Sequence, residues 1–175
     1  MNDKTQPPAP KPAATILLLR DGKPNLEVFM VVRHHQIDFA SGALVFPGGK
    51  ADPQDFAEAL IPFLSGHSDD SDQRAAQVSA IREAFEECGI LLARELGSQE
   101  IISGERLATL QTFREPMNKG ELSLLDFLQQ QQLQLACDEL THFAHWITPP
   151  MMPKRFDTHF YFCLLYTSPS PRDIG

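Results

Sequence analysis

The sequence predicts a single α/β domain, and three observations carry that class. Apolar, strand-like runs at residues 14–19 and 27–33 flank the turn chemistry of Asp21-Gly22-Lys23-Pro24-Asn25. A third short strand, residues 43–46, runs directly into Pro47-Gly48-Gly49. Beyond it, Val78, Ile81, Phe85 and Cys88 recur at the three- and four-residue spacing of one helix face. With 175 residues, 42% hydrophobic and 22% charged, the chain can bury one sizeable core and is too apolar for general disorder.

Taken in order, residues 1–13 contain Pro7, Pro8, Pro10 and Pro12 and almost nothing apolar, and read as a flexible leader. The ordered domain is expected over residues 14–165. Its first two strands form a hairpin. Residues 52–64 carry helical spacing at Phe56, Leu60, Phe63 and Leu64, and residues 65–72 are a polar, acidic loop. Asp72 is the expected cap of a long helix reaching about residue 92, with Gly89 close to its stop. Short helices are expected at Gly104–Leu110 and at residues 123–130, the latter burying Leu124, Leu125 and Leu128. Residues 139–147 lead into a strand, and 155–165 are an aromatic strand. The Pro-rich stretch 166–175 resembles the translation of a common sequencing-adapter sequence. It reads as a non-native tail on a domain truncated at its C-terminus.

Charge narrows the partners. The formal net charge is −8, which repels nucleic-acid phosphates and anionic membranes as bulk partners. An anionic substrate would need local positive charge, and a bound cation would supply it. Cys88, Cys137 and Cys163 are odd in number and lack a C-x-x-C pair, which excludes a disulfide framework and suits a reducing cytoplasm. No apolar run approaches membrane-spanning length, and no signal peptide is visible.

The chemistry concentrates in Arg82-Glu83-Ala84-Phe85-Glu86-Glu87-Cys88-Gly89-Ile90. On a helix Glu83, Glu86 and Glu87 are three and four residues apart, so their carboxylates project from one side, opposite the apolar stripe. Two such charges about 5 Å apart repel by roughly 3 kcal/mol at an effective dielectric of 20. Arg82 relieves part of this, and a hard divalent cation such as Mg²⁺ relieves far more. By itself an acidic triplet is usually a solvated helix face. Here it follows the Gly48-Gly49 turn, which permits close backbone approach and offers a carbonyl as a further ligand.

These residues resemble the Nudix box, G-x5-E-x7-R-E-U-x-E-E-x-G-U. Gly49 matches its first glycine, Asp55 stands at its first acidic position, and Arg82, Glu83, Glu86, Glu87 and Gly89 match its second half. Between Asp55 and Arg82 lie 26 residues where the box has seven, so the box is split by an insertion of 19. The nucleoside diphosphate-linked moiety X motif 19 branch, whose mammalian members hydrolyse coenzyme A, carries such an insertion. Val45-Phe46-Pro47-Gly48-Gly49, Glu86-Glu87-Cys88-Gly89-Ile90, Trp146-Ile147-Thr148-Pro149 and Arg155-Phe156-Asp157-Thr158-His159-Phe160 look like that branch too.

The resemblance implies a Nudix-type α/β/α sandwich around a mixed sheet. It implies a diphosphatase acting on a small-molecule nucleotide conjugate, most naturally coenzyme A or acyl-coenzyme A, with Mg²⁺ or Mn²⁺. Glu86 and Glu87 would be metal ligands, Glu83 a ligand or general base, and the Gly48 or Gly49 carbonyl a further ligand. Arg82 would orient the glutamates. Dimers are common in the superfamily, so a homodimer is an expected assembly. The alternative is a Nudix-fold nucleotide-binding or regulatory module without turnover.

Other candidates read as structural. Arg155 is a phosphate-binding candidate, against an ion pair with Asp157 that braces the last strand. Asp138, Glu139, His142 and His145 look like a metal cluster on paper, but no second ligand pair at zinc-like spacing follows. Phe143 and Trp146 could stack on an adenine, but core packing is the expectation; His34-His35 could contact phosphate or a base, but a strand end is the expectation; and Cys88 is expected in packing rather than reaction.

Overall fold

The computed structural model describes residues 7–32 and 42–165; His34, His35 and the 166–175 tail lie outside them. The elements are β1 (Lys11–Asp21), β2 (Leu26–Val28), β3 (Val31–Val32), β4 (Leu44–Val45), β5 (Gly48–Lys50), β6 (Leu64–Ser65), α1 (Ser71–Cys88), β7 (Ala93–Glu95), α2 (Gly104–Leu110), α3 (Arg114–Asn118), α4 (Leu124–Gln131), β8 (Leu133–Ala136), β9 (Thr141–Ile147) and β10 (Phe156–Leu164).

The main sheet is mixed, in the order β2-β1-β10-β9, with β5 also pairing β1. β1 and β10 run parallel, and the other pairings are antiparallel. The expected hairpin is present as β1 and β2, in the register Leu19 opposite Val28. β1 begins at Lys11, inside the expected leader, because its backbone already pairs with Phe156 there. Along it Ala14, Ile16 and Leu18 are buried while the residues between them are less so, the period-two signature of a strand with one covered face.

That face is covered by α1, which packs on β1, β5 and β10. Its cap is Asp70 rather than Asp72: the Asp70 carboxylate accepts the N–H groups of Asp72 and Gln73 at 3.1 and 2.8 Å. It ends at Cys88, short of the expected residue 92, because Gly89 turns left-handed at φ 72° and its N–H closes the last turn. Ala75, Ala76, Ala80 and Ala84 are buried beside Val78, Ile81 and Phe85, so the helix is enclosed on nearly every side and lies close to the sheet.

Residues 52–64 form two 3₁₀ turns, Pro53–Phe56 and Glu58–Phe63, instead of one helix. Pro53 and Pro62 each remove a backbone donor, which favours short turns over a continuous ladder. Leu60 and Leu64 are buried, whereas Phe56 faces outward. A second small sheet, β6-β8-β7, closes the far side of the core. There α4, capped by the Ser123 hydroxyl on the Asp126 N–H, buries Leu124, Phe127 and Leu128, and Phe127 stacks on Phe85 at 5.5 Å.

Candidate active site

The C-terminal half of α1 and the β5 turn place the residues of the split box together. Arg82 is the hub. Its Nε and Nη2 donate to the two oxygens of Asp55 at 2.9 and 3.0 Å, a bidentate pair that is almost completely buried. Nη1 donates to Glu86 at 2.9 Å and lies 3.1 Å from Glu83, and Nη2 also reaches the Lys50 carbonyl at 3.2 Å. Asp55 itself closes its own 3₁₀ turn by accepting the Asp52 N–H at 2.8 Å. The insertion is therefore bridged in space, and Asp55 takes up its place beside Arg82.

Gly48 and Gly49 lie under the glutamates. The Gly48 N–H donates to Glu87 Oε2 at 3.1 Å. A Cβ added at Gly49 would lie 2.5 Å from Glu83 Oε1 and 2.7 Å from Oε2, so only glycine lets this carboxylate rest on the β5 backbone. Gly49→Ala is expected to displace Glu83 and lower metal-dependent activity at least tenfold while shifting the melting temperature by only a few degrees. An unchanged rate would show that the position of Glu83 does not matter.

One guanidinium thus serves three carboxylates, Asp55, Glu83 and Glu86, while Glu87, one helical turn beyond Glu83, is held by the Gly48 N–H. Burial, with the charges of Glu86 and Glu87 added, pushes the Glu83 carboxyl up to about 7 against the opposing pull of Arg82. Burial likewise raises the Glu86 carboxyl. On Arg82 burial opposes the charge, but Asp55 overrides it and holds the guanidinium above its ordinary value. An excess of close, partly desolvated carboxylate oxygens is the donor set a hard divalent cation takes, and the residues fit such an ion.

The sign of the pH effect follows. A carboxyl raised from 4.5 to about 7 on folding binds its proton more tightly in the folded state. Its contribution is complete below about pH 4.5 and is lost as pH rises through 7. In chelator, the melting temperature of the wild type relative to Glu83→Gln should therefore fall between pH 5 and pH 7.5, and excess Mg²⁺ should remove the difference. A flat difference in chelator would mean that Glu83 ionises freely.

The end of α1 is held by residues that carry no motif. Arg114 Nη2 and Asn118 Nδ2 donate to the Glu86 carbonyl at 2.9 and 3.3 Å, and Gln111 Nε2 donates to the Gly89 carbonyl at 3.0 Å. The unpaired carbonyls at any helix end require such donors, which is the only signal for them in the sequence. Gly89, in the box, is a helix stop.

Of the other readings, the Arg155–Asp157 pair and the core placement of Phe143 and Trp146 are corrected. Arg155 does not pair with Asp157: its Nε and Nη1 donate to the Thr148 and Pro8 carbonyls at 3.0 and 2.8 Å, and Asp157 contacts His145 instead. The Arg155 guanidinium therefore braces chain segments rather than joining the glutamates. Asp138 and Glu139 are both claimed by Arg94, at 2.7 and 2.5 Å, and so do not join His142 and His145. Phe143 and Trp146 are not core residues; they are 49% and 69% exposed. Cys88 is as inert as expected, since burial and Glu87 push its thiol up to about 11.

A mixed sheet, a glycine turn and a buried arginine among glutamates on one helix define an α/β domain with a carboxylate cluster suited to a divalent cation. The family model for the NUDT19 Nudix domain matches residues 65–173. The chain is 31% identical to a crystal structure of a NUDIX hydrolase from Alicyclobacillus acidocaldarius, covering 89% of this chain and 70% of that one with a TM-score of 0.66. It is 24% identical to the acyl-coenzyme A diphosphatase NUDT19 of Xenopus laevis, over 84% of this chain and 49% of the relative. The chain spans about half the length of the curated relatives it matches. It belongs to the Nudix hydrolases, in the NUDT19 branch, a family that acts on diphosphate bonds and generally uses divalent metal ions.

Proposed function

We propose that this domain hydrolyses the diphosphate of coenzyme A or an acyl-coenzyme A, with Mg²⁺ or Mn²⁺. The observation that carries the reading is the cluster of Glu83, Glu86 and Glu87 assembled around Arg82 and the Gly48-Gly49 turn. Branch membership and the diphosphatase name of the Xenopus relative support the substrate class.

Glu83, Glu86 and Glu87 would hold the ion, with the Gly49 carbonyl as a further ligand. When bound, such an ion neutralises diphosphate charge and makes water a better nucleophile. The chain's own residues prepare for this. Arg82 fixes Glu83 and Glu86, and the Gly48 N–H fixes Glu87, so three flexible side chains lose little freedom when the site is filled. In the alternative role, as general base rather than ligand, Glu83 would accept the proton of the attacking water. Water's oxygen bonds to one phosphorus as the bridging P–O bond breaks, and the other phosphate departs with the bridging oxygen.

A mass-spectrometric hydrolysis screen tests this. Its panel holds coenzyme A, acetyl-coenzyme A, ADP-ribose, NADH, diadenosine polyphosphates and nucleoside triphosphates, each with and without Mg²⁺ or Mn²⁺. Release of 3′,5′-ADP and phosphopantetheine only with metal is the expected result. Cleavage of a different compound would discard the substrate. Binding of a nucleotide without cleavage would favour the regulatory module.

A further inference from the structure

A second group of ligating side chains lies on β9 and β10, away from the glutamates. His145 is directly opposite His159 in the register, and their rings stack at 4.1 Å between centroids with an interplanar angle of 9°. Asp157 shares the face of His159 two residues along the strand, and its carboxylate contacts His145 Nε2. The ligand atoms of His145, Asp157 and His159 all lie within 4.8 Å of one another.

A fourth side chain reaches this face through a fault in the strand pairing. The register shifts between Phe160 and Tyr161, so that His142 stands opposite Tyr161 although it precedes His145 by an odd number of residues. Without that bulge, strand alternation would send His142 to the other side of the sheet. As folded, His142 Nε2 meets His159 Nδ1 at 3.0 Å. The opposite face carries the aromatic pairs of Phe143 and Trp146 with Phe160.

We propose that His145, Asp157 and His159 form a binding site for a first-row transition-metal ion of the Zn²⁺ type. Two imidazoles and one carboxylate are a donor set that Zn²⁺ takes and that Mg²⁺, which prefers oxygen and keeps its waters, does not. Cross-strand neighbours hold their Cβ atoms about 5 Å apart, so modest rotation of two half-exposed rings brings both onto one ion. The contact between His145 and Asp157 gives way to the cation. His142 is a positioning residue: by engaging Nδ1 of His159 it leaves Nε2 for the metal.

Three protein ligands leave a coordination position open, and Asp157 and His159 also line a cavity of about 90 Å³ with Phe56, Asp72 and Ala76, room for the water that completes the shell. About 10 Å of helix axis separates Ala76, which lines this cavity, from Glu83, the nearest of the three glutamates, so the two donor sets are separate and sort ions differently.

The test uses the full chain in excess Mg²⁺, which occupies the all-oxygen site, with Co²⁺ as the spectroscopic stand-in for Zn²⁺. One equivalent of Co²⁺ should give the intense visible bands of a four-coordinate, imidazole-bound ion. His145→Gln and His159→Gln should each weaken binding at least tenfold, and Glu86→Gln should leave the bands and affinity unchanged. His145 is half-exposed, so its variant keeps the test readable if His159→Gln loses its circular-dichroism signature. Unchanged affinity in His145→Gln, or bands abolished by Glu86→Gln, would overturn the proposal.

Discussion

Arg82→Met should cost the domain about 3–5 kcal/mol, the usual consequence of removing one partner from a buried ion pair. The Asp55 carboxylate is 2% exposed and depends on both guanidinium nitrogens for its neutralisation. Deleting the arginine strands that charge and leaves Glu83 and Glu86 repelling each other on the same helix. Set against a typical total of about 5–15 kcal/mol, the loss should be visible as a large fall in the urea midpoint at constant slope. Arg82→Lys should recover little, because a point charge cannot span two carboxylate oxygens and Glu86 together. The double variant Asp55→Asn/Arg82→Met should be more stable than Arg82→Met alone. If the single variant loses less than about 1 kcal/mol, water reaches Asp55 and the pair is not the keystone described here.

Glu86→Gln and Glu87→Gln should each lower turnover at least tenfold with little change in stability. Glu87 is exposed and the Glu86 side chain is 10% exposed, and Gln preserves the shape of each while removing the charge that a divalent cation requires. For Glu87 the Gly48 N–H can still bond the amide oxygen, so a loss of rate there reports on charge and not on loop position. Higher metal concentration should rescue part of the rate in either variant. Near-normal turnover in both would remove these residues from the chemistry.

The sequence was most legible where one element carries the whole pattern. The three glutamates and Arg82 fall within two turns of α1, so spacing alone placed their carboxylates on one side, and the 3.6-residue apolar stripe located the helix itself. It was less legible where neighbours compete. Arg155 and Asp157 share a strand face, which made an ion pair plausible, but His145 stands across the sheet from His159 and takes Asp157 first. Residues 52–64 show helical spacing, yet Pro53 and Pro62 divide them into 3₁₀ turns. Arg114, Gln111 and Asn118 were invisible because any donor from any later element can satisfy a helix end. The bulge in β9 likewise has no sequence signal, and it decides which face receives His142.

The bridged insertion has a consequence for how this active site tolerates change. Lengthening a closed loop from seven to 26 residues costs only about 1 kcal/mol in closure entropy. Here the added segment also buries Leu60 and Leu64, each adding roughly 2 kcal/mol. What defines the signature is the grip of Arg82 on Asp55, a contact indifferent to the number of residues threaded between them. The exposed part of the inserted segment can therefore drift in length while Glu83 and Glu86 keep their places around Arg82.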